Sequence, residues 1–147
     1  MKIRLTGLAW LLSSQIHAFP CYLTVVKDDC WSKYQVDITA VNADNNNQTT
    51  TVSIPVGQSW ARQVFECQPN ETLSFSAVFS PIFWQVDKGR SYEALSNWSL
   101  PQKISPGEKA WSITLCYPLQ FNGVPLPPDA SNHCGCDMTK VTPIKPL

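Results

Sequence analysis

The chain has 147 residues, and its 11 Lys and Arg balance 11 Asp and Glu, so the formal net charge at pH 7 is zero. It has no basic cluster, which excludes the electrostatic footprint of a nucleic-acid-binding protein and argues against electrostatic attachment to a membrane. No apolar run reaches the roughly 20 residues that a membrane-spanning helix needs. We therefore expect neither a nucleic-acid partner nor a transmembrane segment.

Residues 1–18 have the order of a cleaved secretory signal peptide. Lys2 and Arg4 precede the apolar run LAWLL, and small residues lead to a cleavage site after Ala18. Loss of Lys2 and Arg4 leaves nine basic residues against eleven acidic ones. We expect an exported protein, periplasmic or extracellular, with a slightly acidic mature chain.

Beyond residue 18, short runs of β-branched and aromatic residues alternate with polar ones and are separated by Asn, Pro, Gly and Asp. This period of two predicts strands. The predicted strands are residues 21–27, 34–42, 49–56, 60–67, 72–79 and 110–119. The stretch between residues 80 and 109 is ambiguous: IFWQV is a candidate short strand, and SYEAL is either a strand or one helical turn.

Seven or eight short strands without a long helical period predict an all-β protein, an antiparallel β-sandwich of the immunoglobulin-like kind. We assign the sandwich to residues 19–120. Residues 121–147, the C-terminal tail, are rich in Pro, which favours an extended conformation without ladder bonds. The tail has no core of its own, so we expect disulfides to tie it to the domain.

Six cysteines follow the signal peptide, an even number that predicts three disulfides in an oxidising compartment. They are Cys21, Cys30, Cys67, Cys116, Cys134 and Cys136. Cys134 and Cys136 are separated by one residue, and such a small ring strains the disulfide torsion. Each of the two is therefore expected to pair with a different cysteine of the body, and the full connectivity stays open.

The stretch SNHCGCDM holds the single histidine of the mature chain, His133, beside two of these cysteines. A metal site would use His133, Cys134 and Cys136, soft ligands suited to Zn²⁺ or Cu(I). A redox role is the second alternative, although oxidoreductases use Cys-x-x-Cys at the start of a helix. We favour structural disulfides, and we expect no metal and no cofactor.

Five tryptophans of the mature chain raise the alternative of a carbohydrate-binding module. Flat rings stack on sugar faces, and Trp60, Trp84, Trp98 and Trp111 are the candidates for such a platform. Several of them are expected to fill the core instead. The stretch SPIFWQV lies where the strand pattern weakens, so we expect an exposed apolar binding surface formed by Ile82, Phe83, Trp84 and Trp98.

Enzyme chemistry is hard to assemble from these residues, because a nucleophile–histidine arrangement would depend on His133 in the tail. Paired carboxylates would suit a hydrolase. The candidate pairs are Asp28 with Asp29, Glu66 with Glu71, and Asp87 with Glu93. We expect the protein not to be an enzyme. Three glycosylation sequons begin at Asn47, Asn70 and Asn97, and they count only in a eukaryotic host.

The segments VVKDDCWSKYQVDI, SIPVGQSWARQVFECQP, PIFW, AWSITLCYPL and NHCGCD resemble a group of small exported, disulfide-rich proteins of Legionella- and Coxiella-type gammaproteobacteria. The resemblance covers most of the mature chain. It implies a periplasmic or secreted bacterial protein without a catalytic motif, and it carries over no functional residue.

From these observations we expect a non-enzymatic, exported binding protein with a protein partner. It would be an accessory of the bacterial envelope or secretion apparatus, or a secreted factor that meets a host protein and is associated with virulence. Sheet edges and the tail are the contact elements that such a protein offers, by strand addition or polyproline docking. A carbohydrate-binding module with a glycan ligand is the alternative, and a hydrolase with a carboxylate pair is the third.

Overall fold

The structure, a computed structural model, describes residues 19–131 and 133–145. The expected signal peptide, residues 1–18, lies outside the described residues. In the described part, no helix is long and apolar enough to cross a membrane. The strands there are β1 (Phe19–Lys27), β2 (Gln35–Asn42), β3 (Gln48–Ile54), β4 (Trp60–Cys67), β5 (Thr72–Ser80), β6 (Tyr92–Glu93), β7 (Trp98–Ser99) and β8 (Trp111–Tyr117).

The eight strands form two sheets, and the prediction of an all-β protein is confirmed. One sheet has the order β4-β1-β8, and the other has the order β3-β2-β5-β6, with β7 also paired to β5. Short 3₁₀ turns cover Asp29–Trp31, Gln85–Asp87 and Met138–Lys140. Alternate residues of both sheets enter one shared core.

The core follows the period of two in the sequence. Strand β5 buries Leu73, Phe75, Ala77 and Phe79, the face that the alternation predicted. Trp31, on the first 3₁₀ turn, is fully buried, and its ring centroid lies 4.8 Å from that of Phe79. An aromatic cluster therefore closes the end of the sandwich where β5 ends.

Strand β1 is the central strand of the three-stranded sheet. It runs antiparallel to β4 on one side and parallel to β8 on the other. Val25 lies opposite Ala61 of the antiparallel β4 and opposite Leu115 of the parallel β8. The prediction of a wholly antiparallel sandwich is wrong at this pair. Strand β7 belongs to the other sheet, so residues 100–110 cross between the sheets and deliver β8 in the direction of β1.

The outer face of β1 is buried as well as the inner one, because the C-terminal tail lies over it. Thr24 and Val26 on this face are almost inaccessible to solvent. The Sγ of Cys136 lies 3.4 Å from the carbonyl oxygen of Val26. Arg62 donates from Nε to Thr24 Oγ1 at 2.7 Å and from a terminal nitrogen to the Thr142 carbonyl at 2.9 Å. The tail therefore acts as the cover of this sheet.

The ambiguous stretch after β5 contains no strand at IFWQV. Residues 81–91 instead form a loop around the 3₁₀ turn Gln85–Asp87, and β6 and β7 that follow have two residues each. The alternative of a strand is confirmed for SYEAL, because β6 is its Tyr92–Glu93. The apolar residues of IFWQV therefore belong to a loop and not to a strand.

Candidate functional site

The stretch around His133 is held by two disulfides. Cys134 pairs with Cys30, and Cys136 pairs with Cys116. The third bridge joins Cys21 to Cys67, and the part of the chain that the structure describes contains no free cysteine. The prediction of three disulfides is confirmed, and so is the prediction that Cys134 and Cys136 have separate partners.

These disulfides occupy the two cysteines of the alternative metal site. In the site predicted at His133, Cys134 and Cys136, both cysteine sulfurs are oxidised. Disulfide sulfur is a poor metal ligand. The structure instead brings Asp28 next to the Cys30–Cys134 bridge, with one ligand atom of each residue within 4.8 Å of the others. Burial raises the pKa of the Asp28 carboxyl, while its bond from the Cys30 amide opposes this.

The expected apolar surface at residues 82–84 is divided between core and solvent. Phe83 turns inward, and its ring centroid lies 4.9 Å from that of Tyr34 and 4.8 Å from that of Phe79. Ile82 is half-buried, whereas Trp84 is 61% exposed and Val86 is 88% exposed. The loop thus presents two apolar side chains to solvent from an anchored base.

Polar contacts within the same loop fix its shape. The buried Asp87 forms a salt bridge with Arg90, with 3.4 Å between Asp87 Oδ1 and a guanidinium nitrogen. The Asp87 amide donates to the Trp84 carbonyl at 3.0 Å. The Arg90 guanidinium also lies over the ring of Tyr92, 5.6 Å from the centroid. Trp84 therefore precedes a turn that is held by these contacts.

Trp98 does not join the other members of the expected surface. It pairs with Leu73 near the start of β5, whereas residues 82–84 follow Ser80 at the end of this strand. Seven residues of strand separate the two ends by about 23 Å. Trp98 lies against the core instead, and with Phe75, Ala94 and Leu115 it lines a cavity of about 200 Å³.

This cavity opens beside the free edge of β8. The Cys116 amide donates to Gln120 Oε1 at 2.6 Å on this edge, whereas the Tyr117 carbonyl accepts from Asp28 on the β1 side. Because the two polar groups of a strand residue point to one edge and alternate along the chain, Ser112 and Thr114 face away from β1. Within the described residues, their backbone groups have no hydrogen-bond partner.

The tryptophans do not share one accessible platform. Trp111 is buried, contacts Phe19 with ring centroids 4.5 Å apart, and donates from its indole nitrogen to Glu108 at 2.9 Å. The guanidinium of Arg62 lies over the half-buried ring of Trp60, 5.2 Å from its centroid. Only Trp84 among the four candidates is largely exposed.

The three carboxylate pairs differ in their surroundings. Glu66 and Glu71 line an open depression of about 530 Å³ whose other side chains are mostly amides and hydroxyls, and burial raises the pKa of Glu71. Asp28 and Asp29 line a smaller cavity of about 140 Å³. Asp87 is buried and paired with Arg90, while Glu93 is exposed.

The three sequon asparagines are all exposed. Asn47 and Asn97 lie outside the strands, and Asn70 has a positive φ of 66° in the turn between β4 and β5. Their exposure leaves each side chain accessible to modification.

Sequence reasoning missed two features of the site. Lys27 is a buried lysine, 2% exposed, at the end of an apolar strand. The free edge of β8 depends on its parallel pairing with β1, which no local pattern reveals. The continuous apolar run of β1 was the available clue, because strands in parallel pairs are commonly buried on both faces.

No protein family model matches the chain. No curated protein matches it either.

Proposed function

We propose that this is an exported, non-enzymatic binding protein that captures extended segments of partner proteins by strand addition at the free edge of β8. The observation that carries the proposal is the row of outward-facing backbone groups at Ser112 and Thr114, which have no partner in the described residues. Strand addition satisfies such groups with main-chain hydrogen bonds, while pockets for alternate side chains supply specificity.

The cavity beside this edge gives the proposed site its selectivity. Residues opposite each other in paired strands point to the same face. A partner residue opposite Leu115 would therefore enter the cavity of about 200 Å³ lined by Phe75, Ala94 and Trp98. This lining favours one apolar side chain, and the residues on either side of it would face solvent.

The edge also lacks the features that usually prevent pairing. Natural edge strands are commonly protected by charged residues, by Pro or by a bulge. Strand β8 has the sequence WSITLCY, without a charged residue and without Pro, and its pairing with β1 runs without a break in register. An unprotected edge of this kind is consistent with a strand that pairs with a segment of a partner protein.

Three disulfides and the absence of a membrane-spanning helix in the described residues are compatible with export. In our proposal the two sheets form an immunoglobulin-like sandwich, and the protein works in the periplasm or outside the cell. It serves either as an accessory of a bacterial envelope or secretion apparatus, or as a virulence-associated factor that meets a host protein. The resemblance to exported proteins of Legionella- and Coxiella-type bacteria supports this placement.

A library of displayed linear peptides tests the proposal. Wild-type protein should select peptides with apolar residues at every second position. The variant Thr114→Pro should bind them at least about tenfold more weakly, because it loses one main-chain donor and adds a ring to the edge. The amide of residue 114 faces away from β1, so the internal pairing of the sheet is retained.

The matched control is Thr114→Ala, which keeps the amide and should bind selected peptides like wild type. Circular dichroism and thermal unfolding of both variants establish that the sandwich is folded. Selection of no peptide by wild type would refute strand addition. Equal binding by Thr114→Pro and Thr114→Ala would also refute it.

Carbohydrate binding is the second candidate function, supported by the exposed and ordered Trp84. One exposed ring offers a stacking surface for a single sugar face. Titration with glycans should then change tryptophan fluorescence in wild type and leave Trp84→Ala unchanged. No change in wild type at millimolar glycan would exclude this function.

A further inference from the structure

The disulfide Cys30–Cys134 lies beside the buried carboxylate of Asp28, and together the three residues have the composition of a metal-binding cluster. One oxygen of Asp28 and the two sulfurs all lie within 4.8 Å of one another. We propose that reduction of this disulfide converts the cluster into a zinc site formed by Asp28, Cys30 and Cys134. This site is independent of the β8 edge.

The ligands stay in place after reduction, because other contacts hold both sides of the bridge. The Gly135 carbonyl accepts from the Asp29 amide at 3.2 Å, and the disulfide Cys116–Cys136 anchors the next residue of the tail. On the other side, Asp28 Oδ1 accepts from the Cys30 amide at 2.9 Å. Its second carboxylate oxygen remains for a metal ion.

Accessibility selects this disulfide for reduction. Cys134 is exposed and Cys30 is half-buried. In contrast, Cys21 and Cys67 are 0% and 1% exposed, and in the third bridge Cys116 is 7% exposed and Cys136 is half-buried, so only Cys30–Cys134 contains an exposed cysteine. A thiolate must reach a sulfur atom to attack it, so an external reductant should open Cys30–Cys134 first.

The chemistry balances with a dithiol as the reductant. One dithiol is oxidised to its disulfide, and the two electrons and two protons that it loses convert the bridge into the thiols of Cys30 and Cys134. Both thiols then release their protons as Zn²⁺ binds, since thiolate is the ligand.

Two thiolates and one carboxylate favour Zn²⁺ among the common metal ions, with tetrahedral geometry. Cys134 borders an open depression of about 530 Å³, which His133 also lines. Water that enters from this depression can complete the coordination. The depression is also the entry path for the ion.

The test begins with mild reduction of the native full chain without denaturant. Alkylation and mass spectrometry should find Cys30 and Cys134 modified while the other four cysteines remain paired. The reductant is then removed by gel filtration under argon, and the protein is titrated with Zn²⁺ against a chromophoric chelator. We expect one Zn²⁺ per chain, and with Co²⁺ the visible absorption of a tetrahedral thiolate complex.

Three variants separate this site from nonspecific thiol binding. Cys134→Ser should abolish the Co²⁺ absorption. Asp28→Asn should weaken Zn²⁺ at least about tenfold, since even groups outside the first coordination sphere contribute that much. Asp44→Asn, in an exposed turn, should bind like wild type. Near-ultraviolet circular dichroism of the oxidised variants verifies their fold.

Three results would overturn the proposal. The first is reduced wild type that binds no Zn²⁺ at one per chain. The second is an affinity of folded Asp28→Asn equal to that of wild type, which would leave the thiols alone as the site. The third is reduction of Cys116–Cys136 before Cys30–Cys134, which would remove the anchor. If Asp28→Asn does not fold, the wild-type stoichiometry and the order of alkylation still decide the matter.

Discussion

The Nζ atom of Lys27 lies 2.6 Å from the carbonyl oxygen of Tyr34 and 3.0 Å from that of Pro55, so one buried amine links the end of β1 to the residues beside β2 and β3. Only 2% of the Lys27 side chain is exposed. A buried lysine is retained when its N–H groups are paired, and here the partners are backbone carbonyls.

Replacement of this amine should destabilise the fold. Lys27→Met keeps the length of the side chain but leaves both carbonyl groups without a donor. We expect a loss of about 1–3 kcal/mol in the free energy of unfolding, measured by urea titration. Lys88→Met, at an exposed lysine, is the control and should be neutral. An unchanged midpoint for Lys27→Met would show that the two bonds contribute nothing.

The same lysine predicts a pH dependence. Burial lowers its pKa from 10.5 in the folded protein. Between the lowered pKa and 10.5 the unfolded chain holds a proton that the folded chain lacks, so stability rises with pH in this window. The neutral amine still has two N–H groups for the two carbonyls.

The measurement is the difference in unfolding free energy between wild type and Lys27→Met, followed from pH 7 towards 10.5. Other titrating groups are present in both proteins, and their contributions cancel in the difference. Wild type should gain relative to the variant as the pH rises. A difference that is constant or decreases would contradict the lowered pKa.

Arg62 should control how firmly the tail is held. Arg62→Ala removes the bond to the Thr142 carbonyl and the bond to Thr24. Bonds from a charged donor contribute about 1.5–3 kcal/mol, so trypsin cleavage after Lys140 should become about tenfold faster or more. Arg90→Ala removes a guanidinium from the distant loop and should leave this cleavage rate unchanged.

Neighbouring residues of the loop should differ sharply in their effect on stability. Phe83→Ala removes a ring that contacts Trp31 and Phe79, and should cost about 2–3 kcal/mol of unfolding free energy. Trp84→Ala, at an exposed side chain, should stay within about 0.5 kcal/mol of wild type. Equal losses for the two variants would mean that Phe83 is not the anchor of the loop.

Local sequence patterns were sufficient to predict the long strands and the presence of three disulfides. Period-two alternation identified the buried face of β5 because each inward side chain there is apolar. The spacing of Cys134 and Cys136 predicted that each has a different partner, because a one-residue ring is strained, but it did not say which cysteines those partners are. Both inferences depend on residues close together in the chain.

Features that depend on distant residues were not predictable in this way. The sequence of β8 does not indicate that this strand pairs with β1 or that the two strands run parallel. The burial of Lys27 depends on carbonyls from two other parts of the chain. Residues 82–84 looked like one apolar surface because sequence does not reveal that Phe83 points inward and Trp84 outward.

The central place of β1 also determines the order in which this chain can fold during synthesis. Its antiparallel partner begins at Trp60 and its parallel partner at Trp111, so β1 emerges from the ribosome long before either. One of its polar edges can be paired once β4 is complete at Cys67, whereas the other stays uncovered until β8 has been made. Pairings at such sequence separation form slowly and leave time for aggregation. Because β1 pairs with β8, the last of the described strands, this sheet cannot be completed until nearly the whole chain has been made.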